Sequence, residues 1–332
     1  MKLVETFLFS EEFEKELLLI KLILSNNCID EWIICENSFS FQGEFKGSLG
    51  SYVINNDERF APYRNKIKII TGEKHFIVHG ENKVKESYTF QSEEWQRQLA
   101  YDYFINNYEN NDWLIIHDVD EMFDFIDKQR KDEFFSNLSS NTNGFLCAPR
   151  QRYWFDFDNK FDILYGSPLC TKSYLLANQQ VSLANIRRLI SAMPVNSWNN
   201  IVAFEYSSCY SKENVLRKIN TFAHAGISES DLLRSLRCNH RTIGSEALKD
   251  FLRPDKRNFM ETVVLNKENS PALIRENLNS FKTHNIDVNY RQNRKKEYPQ
   301  FYNYFSLTYI KMADFVKLKK KKYVKRLKKV FQ

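Results

Sequence analysis

The sequence predicts an α/β protein: a mixed, mostly parallel sheet flanked by helices, with a basic helix at the C-terminus. Three observations predict it. Short apolar runs alternate with amphipathic stretches from the first residues onward. The second run follows the first within 35 residues, which suits a strand–helix–strand crossover and hence a parallel pair. Residues 113–117, WLIIH, form an almost wholly apolar run of the kind buried on both faces of a sheet.

Residues 3–9 give the first strand, and residues 11–24 a helix with Ser10 as N-cap and Glu11 and Glu12 in its dipole-favoured first turn. EWIIC (31–35) reads as the second strand and residues 67–70 as the third. Ser92 is placed to cap a helix running to about Ile105, and WLIIH follows it as a further strand. Residues 144–149 and 173–177 read as later strands. Residues 211–222 place Val215, Leu216 and Ile219 on one helical face, and residues 228–237 and 245–252 read as further helices. Asn, Lys and Pro accumulate between about 250 and 310, where periodicity weakens. The expected organisation is one domain in two parts (1–125 and 126–255), then an extension (256–310) and a basic tail (311–332).

A chain of 332 residues, 42% hydrophobic, can bury a large core, and nine glycines and seven prolines argue against low-complexity character. The six cysteines are scattered, with neither zinc spacing nor a dense disulfide framework, so reduced thiols are expected. The N-terminus turns acidic before an apolar stretch long enough for a signal peptide has formed. The run 17–24, broken by Lys21, is too short to span a bilayer. These features predict a cytoplasmic protein. The net charge of +6 is a tail property: residues 311–332 carry ten Lys/Arg against one Asp, leaving the body mildly acidic.

The strongest local signal is Asp118-Val119-Asp120-Glu121 directly after the apolar run. Ligands of open α/β sheets bind outside the carboxyl ends of the parallel strands. Two carboxylates there repel each other, and a hard divalent cation, Mg²⁺ or Mn²⁺, would relieve the repulsion and hold a diphosphate. Such an ion offsets charge building on a departing nucleoside diphosphate. The same residues also read as a solvated strand-end loop, or as a phosphatase D-x-D in which Asp118 is the nucleophile. Met122 stands where that phosphatase motif wants Thr or Val.

Four segments in order then resemble one family. They are Cys35-Glu36-Asn37-Ser38-Phe39-Ser40-Phe41-Gln42-Gly43, Gln96-Arg97, residues 113–121, and Phe222-Ala223-His224. From about residue 3 to about 255 the chain resembles glycosyltransferase family 17, the β-1,4-mannosyl-glycoprotein N-acetylglucosaminyltransferases and their bacterial relatives. The resemblance implies a GT-A-like, Rossmann-related fold, a UDP-sugar donor (UDP-N-acetylglucosamine), a divalent metal (Mn²⁺ or Mg²⁺) and inversion at the anomeric carbon. It puts Asp118 and Asp120 on the ribose, metal and diphosphate, Glu36 on the nucleoside, Arg97 on the donor phosphate and His224 on the metal or diphosphate.

The chain departs from the family where relatives carry Gly-Trp-His and it reads Ala203-Phe204-Glu205. Inverting transfer needs a base to take the acceptor hydroxyl's proton. Glu205 is the first candidate, and Asp156 or Asp158 the next, in an aromatic-acidic segment that equally reads as an alternating strand. A third reading is a glycan- or partner-binding protein of the same fold without turnover. The acceptor would be a glycan or glycolipid. In the tail, Val316, Tyr323, Leu327 and Val330 share a helical face among lysines, a pattern that favours an anionic membrane surface over specific nucleic-acid recognition.

Overall fold

The computed structural model describes residues 1–41, 43–76, 86–154, 157–179, 181–189, 198–207, 209–221 and 261–278. The chain divides into two compact units, Met1–Ala225 with Glu261–Ile286, and Gly226–Met260 with Asp287–Gln332. All described residues belong to the first. The helices expected at 228–237 and 245–252, the basic tail, Asp156 and His224 lie outside the described residues.

The first half alternates strand and helix, as expected except for α2, which the sequence did not mark: β1 (Leu3–Leu8), α1 (Lys15–Ser25), β2 (Glu31–Asn37), α2 (Leu49–Asn56), β3 (Ile67–Gly72), α3 (Glu86–Asn107) and β4 (Trp113–Ile116). β1 pairs in parallel with β2 and β4, and β2 with β3. Side chains alternate between two cores, as the two-residue period of a strand requires. Phe7, Ile34 and Ile115 pack with Leu18 and Leu22 of α1 and Val53 of α2 on one face. Leu8, Ile33 and Ile116 pack with Ala100 and Phe104 of α3 on the other. The sheet is thus covered by helices on both faces.

The second half contains β5 (Glu121–Phe123), α4 (Lys128–Ser140), β6 (Phe145–Trp154), β7 (Asn159–Thr171), α5 (Lys172–Ala177), α6 (Leu183–Leu189), β8 (Ala203–Ser207), α7 (Lys212–Thr221), β9 (Glu261–Thr262) and α8 (Ala272–Glu276). The strand order is β3-β2-β1-β4-β7-β6-β8-β5, with β9 pairing to β7. β4–β7, β7–β6, β8–β5 and β7–β9 are antiparallel, while β6–β8 is parallel. The fold is mixed α/β. Only residues 117–120 separate β4 from β5, yet β7, β6 and β8 lie between them in the sheet. Laid flat, four strand spacings would put β4 and β5 roughly 19 Å apart. Five extended peptide steps reach only about 17 Å. The sheet therefore curls until β5 returns beside the end of β4.

The structure corrects three local expectations. Ser92 does not cap α3, which already begins at Glu86 and contains it. Residues 173–177 are not a strand but lie within α5, because Thr171 Oγ1 accepts from the Tyr174 amide (3.1 Å) and starts a helix. Ser10 does not cap the first helix. Glu11 and Glu14 form a capping box on a 3-10 turn (Glu12–Glu14) that leads into α1. No helix among the described residues is long and apolar enough to cross a membrane.

Candidate functional site

Asp118 and Asp120 lie in the turn between β4 and β5, at the carboxyl end of β4. The backbone of this turn is held from beneath by Lys21 of α1. The Lys21 ammonium is fully buried, donates to the carbonyls of Asp118 (3.1 Å) and Glu121, and pairs with Glu5 Oε1 at 2.7 Å. Glu5 also accepts from Trp32 Nε1 at 3.1 Å and faces His117 Nδ1 at 2.7 Å. Burial, then the Lys21 charge, lowers the His117 pKa and keeps that imidazole neutral.

The side chains of the turn go to different partners. Asp118 Oδ1 accepts from Arg97 Nη2 of α3, and Oδ2 from Arg187 Nη2 of α6, both at 2.5 Å. Loss of solvent would push the Asp118 carboxyl up, but Arg187 and Arg97 outweigh it and hold the group well below the usual range. Its side chain still keeps 41% of its surface exposed. Asp118 is thus a permanent anion, fixed by two guanidinium groups. Asp120 is buried and pairs with Lys218 Nζ of α7 at 3.0 Å. Burial raises its pKa, Lys218 opposes this, and the neighbouring Glu205, Asp118 and Glu121 add to the rise.

Glu121 takes a fork from Arg187 (2.9 and 2.8 Å) and a further ion pair from Arg150 of β6 (2.8 Å). Burial works against its charge, and Arg150 and Arg187 win, lowering its pKa. Glu205 stands in register with Glu121 across the β5–β8 pair. It pairs with Arg150 Nη2 at 2.9 Å and accepts from Ser207 Oγ at 2.5 Å. Four acids (Asp118, Asp120, Glu121, Glu205) therefore meet four cations (Arg97, Arg150, Arg187, Lys218) in one cluster.

These pairs bear directly on a divalent cation at Asp118 and Asp120. The repulsion that such an ion would relieve is already relieved by guanidinium and ammonium groups. Among the described residues no group of three His, Cys, Asp or Glu side chains could hold a metal ion. The described donor set does not fit a divalent cation, and His224 lies outside it.

Two other expected contacts are spent inside the fold. Glu36 is fully buried and accepts from the Gly50 amide (2.7 Å), the Ser51 amide (3.4 Å) and Thr71 Oγ1 (3.0 Å), so it caps the start of α2. Arg97 is buried and divided among Glu93 (3.0 Å), the His117 carbonyl (3.2 Å) and Asp118, so in this structure it positions an acid. The reading of the sequence missed Lys21, Arg150, Arg187 and Lys218. Lys21 had a signal, a lone lysine inside the apolar run LLLIKLIL. The other three come from distant elements and carried none.

No family model matches the chain. No curated protein matches it either. Among solved structures it is similar to mannose-6-phosphate isomerase from Helicobacter pylori, at 11% identity over 65% of this chain and 89% of that one, with a TM-score of 0.29. A likeness so slight says nothing of what the chain does.

Proposed function

We propose that the chain is a GT-A-type glycosyltransferase that moves a sugar from a nucleotide-sugar donor to a hydroxyl of a glycan or glycolipid. UDP-N-acetylglucosamine is the donor that the family 17 resemblance implies. One observation carries the reading: the strand order β3-β2-β1-β4 reverses direction between β1 and β4. Doubly wound sheets bind nucleotides outside the strand ends at such a reversal. Here Ser10 and Glu11 follow β1, and Asp118 and Asp120 follow β4.

In this reading Asp118, ionised and fixed by Arg97 and Arg187, accepts from donor hydroxyls. Basic side chains around the turn face the charge that builds on the leaving diphosphate. Glu205, a carboxylate held by Arg150 and Ser207, takes the proton of the acceptor hydroxyl as its oxygen attacks the anomeric carbon from the face opposite the leaving group. No step is routed through a divalent ion. The phosphatase reading finds less support, because Met122 stands where its motif wants Thr or Val. The basic residues of 311–332 are proposed to seat the enzyme on an anionic membrane surface.

The test is a thermal-shift screen of nucleotide sugars on the full chain. One UDP-sugar is expected to raise the Tm by a few degrees, and Asp118→Asn to remove that shift. If no nucleotide sugar shifts the Tm, the reading is wrong.

A further inference from the structure

α7 lays two successive basic residues across the place where the strand order reverses. Arg217 pairs with Glu11, just after β1, at 2.8 Å. Lys218 pairs with Asp120, just after β4, at 3.0 Å. The Lys218 ammonium also stands 5.0 Å from the centre of the Tyr210 ring. Its charge acts on buried Glu14 as well, so it stands among acidic side chains and an aromatic face. The side chain keeps 16% of its surface exposed, as does that of Arg187, which pairs with the more exposed Asp118.

A divalent ion entering here would have to displace Lys218 from Asp120 and both guanidinium groups from Asp118. Displacing Lys218 strips a mostly buried ammonium of the carboxylate it is bonded to, and each guanidinium group gives up one of its two acidic partners, all of which is unfavourable. An incoming diphosphate expels no cation. It can share the Lys218 ammonium with Asp120 and the Arg187 guanidinium with Asp118, two groups that bind phosphate oxygens well.

We infer that Lys218 serves as the resident cation of this site: its ammonium neutralises the donor's diphosphate, and donor binding needs no divalent metal. The inference rests on the donor reading above and departs from the cation that the sequence resemblance implies. Arg187 supports Lys218 from the α6 side while still holding Asp118 and Glu121. The carboxylate of Asp120 orients the ammonium rather than binding an ion.

Isothermal titration of the full chain with UDP, once in excess EDTA and once with Mn²⁺, tests this. The dissociation constant is expected to agree between the two buffers within about threefold. Lys218→Met is expected to weaken binding in EDTA by about tenfold or more, and Mn²⁺ to restore part of the loss, because Asp120 is then released. Lys218→Arg keeps a cation in place and should keep metal-free binding.

If wild-type protein binds UDP only with Mn²⁺, or if Lys218→Met binds as well as wild type in EDTA, the inference is overturned. The wild-type comparison stands even if a variant fails to fold. If UDP binds in neither buffer, the donor reading itself fails and takes this inference with it.

Discussion

Glu14 shows how a single buried carboxyl can set a pH dependence. One of its oxygens accepts from the Ser10 and Glu11 amides (2.9 and 3.2 Å), while the other has no hydrogen-bond partner. Burial pushes its pKa up to about 7, against the pull of Lys218 and the two amides. The folded protein therefore keeps a proton that the unfolded chain gives up near pH 4.5. Glu14 contributes fully below that value, and its contribution is lost as pH rises through about 7. Urea unfolding at pH 5 and pH 8 should show the wild type losing on the order of 2–3 kcal/mol relative to Glu14→Gln over that range. Parallel behaviour of the two proteins would mean that Glu14 is ionised throughout. At this scale the sequence singled out Asp118 and Asp120, because acids after an apolar run are conspicuous. It did not show their cations, since nothing local marks Arg187 or Lys218 as partners of residues 69 and 98 positions away.

Among the elements, the turn into β6 depends on Gly144. Its φ is +70°, and a Cβ there would lie 2.5 Å from Thr171 Oγ1, the oxygen that starts α5. Gly144→Ala should therefore strain the turn and disturb the cap together, costing about 2 kcal/mol in chemical denaturation. A variant as stable as wild type would show that the cap moves aside at no cost. The parallel strands were legible because period and apolarity agree over residues 3–8, 31–37 and 113–116. α5 was not, since KSYLLA has no helical period to read and only Thr171 decides its state. β5 is three residues long, too short for any pattern. α2 carries Gly50 and two asparagines, and it is helical because a strand-borne acid, Glu36, caps it from 14 residues upstream.

In the molecule as a whole, the curl of the sheet and the charge cluster depend on each other. β5 returns beside β4 only if Glu121 and Glu205 can be buried side by side, and Arg150 is the cation common to both. Arg150→Met should cost about 3–5 kcal/mol in urea unfolding, because it leaves Glu205 buried without its partner. Adding Glu205→Leu should recover part of that loss. If the single variant unfolds like wild type, the cluster is not what closes the curl. The doubly wound order of β1 to β4 could be anticipated from strand–helix alternation. The curl could not, because it rests on β5–β8 pairing, which no local pattern encodes.

The turn between β4 and β5 has a consequence for the newborn polypeptide. On a translating ribosome its acids emerge well before Lys218, which follows Asp120 by 98 residues. At common elongation speeds that gap lasts about 5–20 s. During that interval β1 to β4 can already pair, while the acidic hinge stays hydrated and open. α7 then brings the Lys218 charge that closes it, so the cluster around the turn is completed only after the strands that precede it have paired.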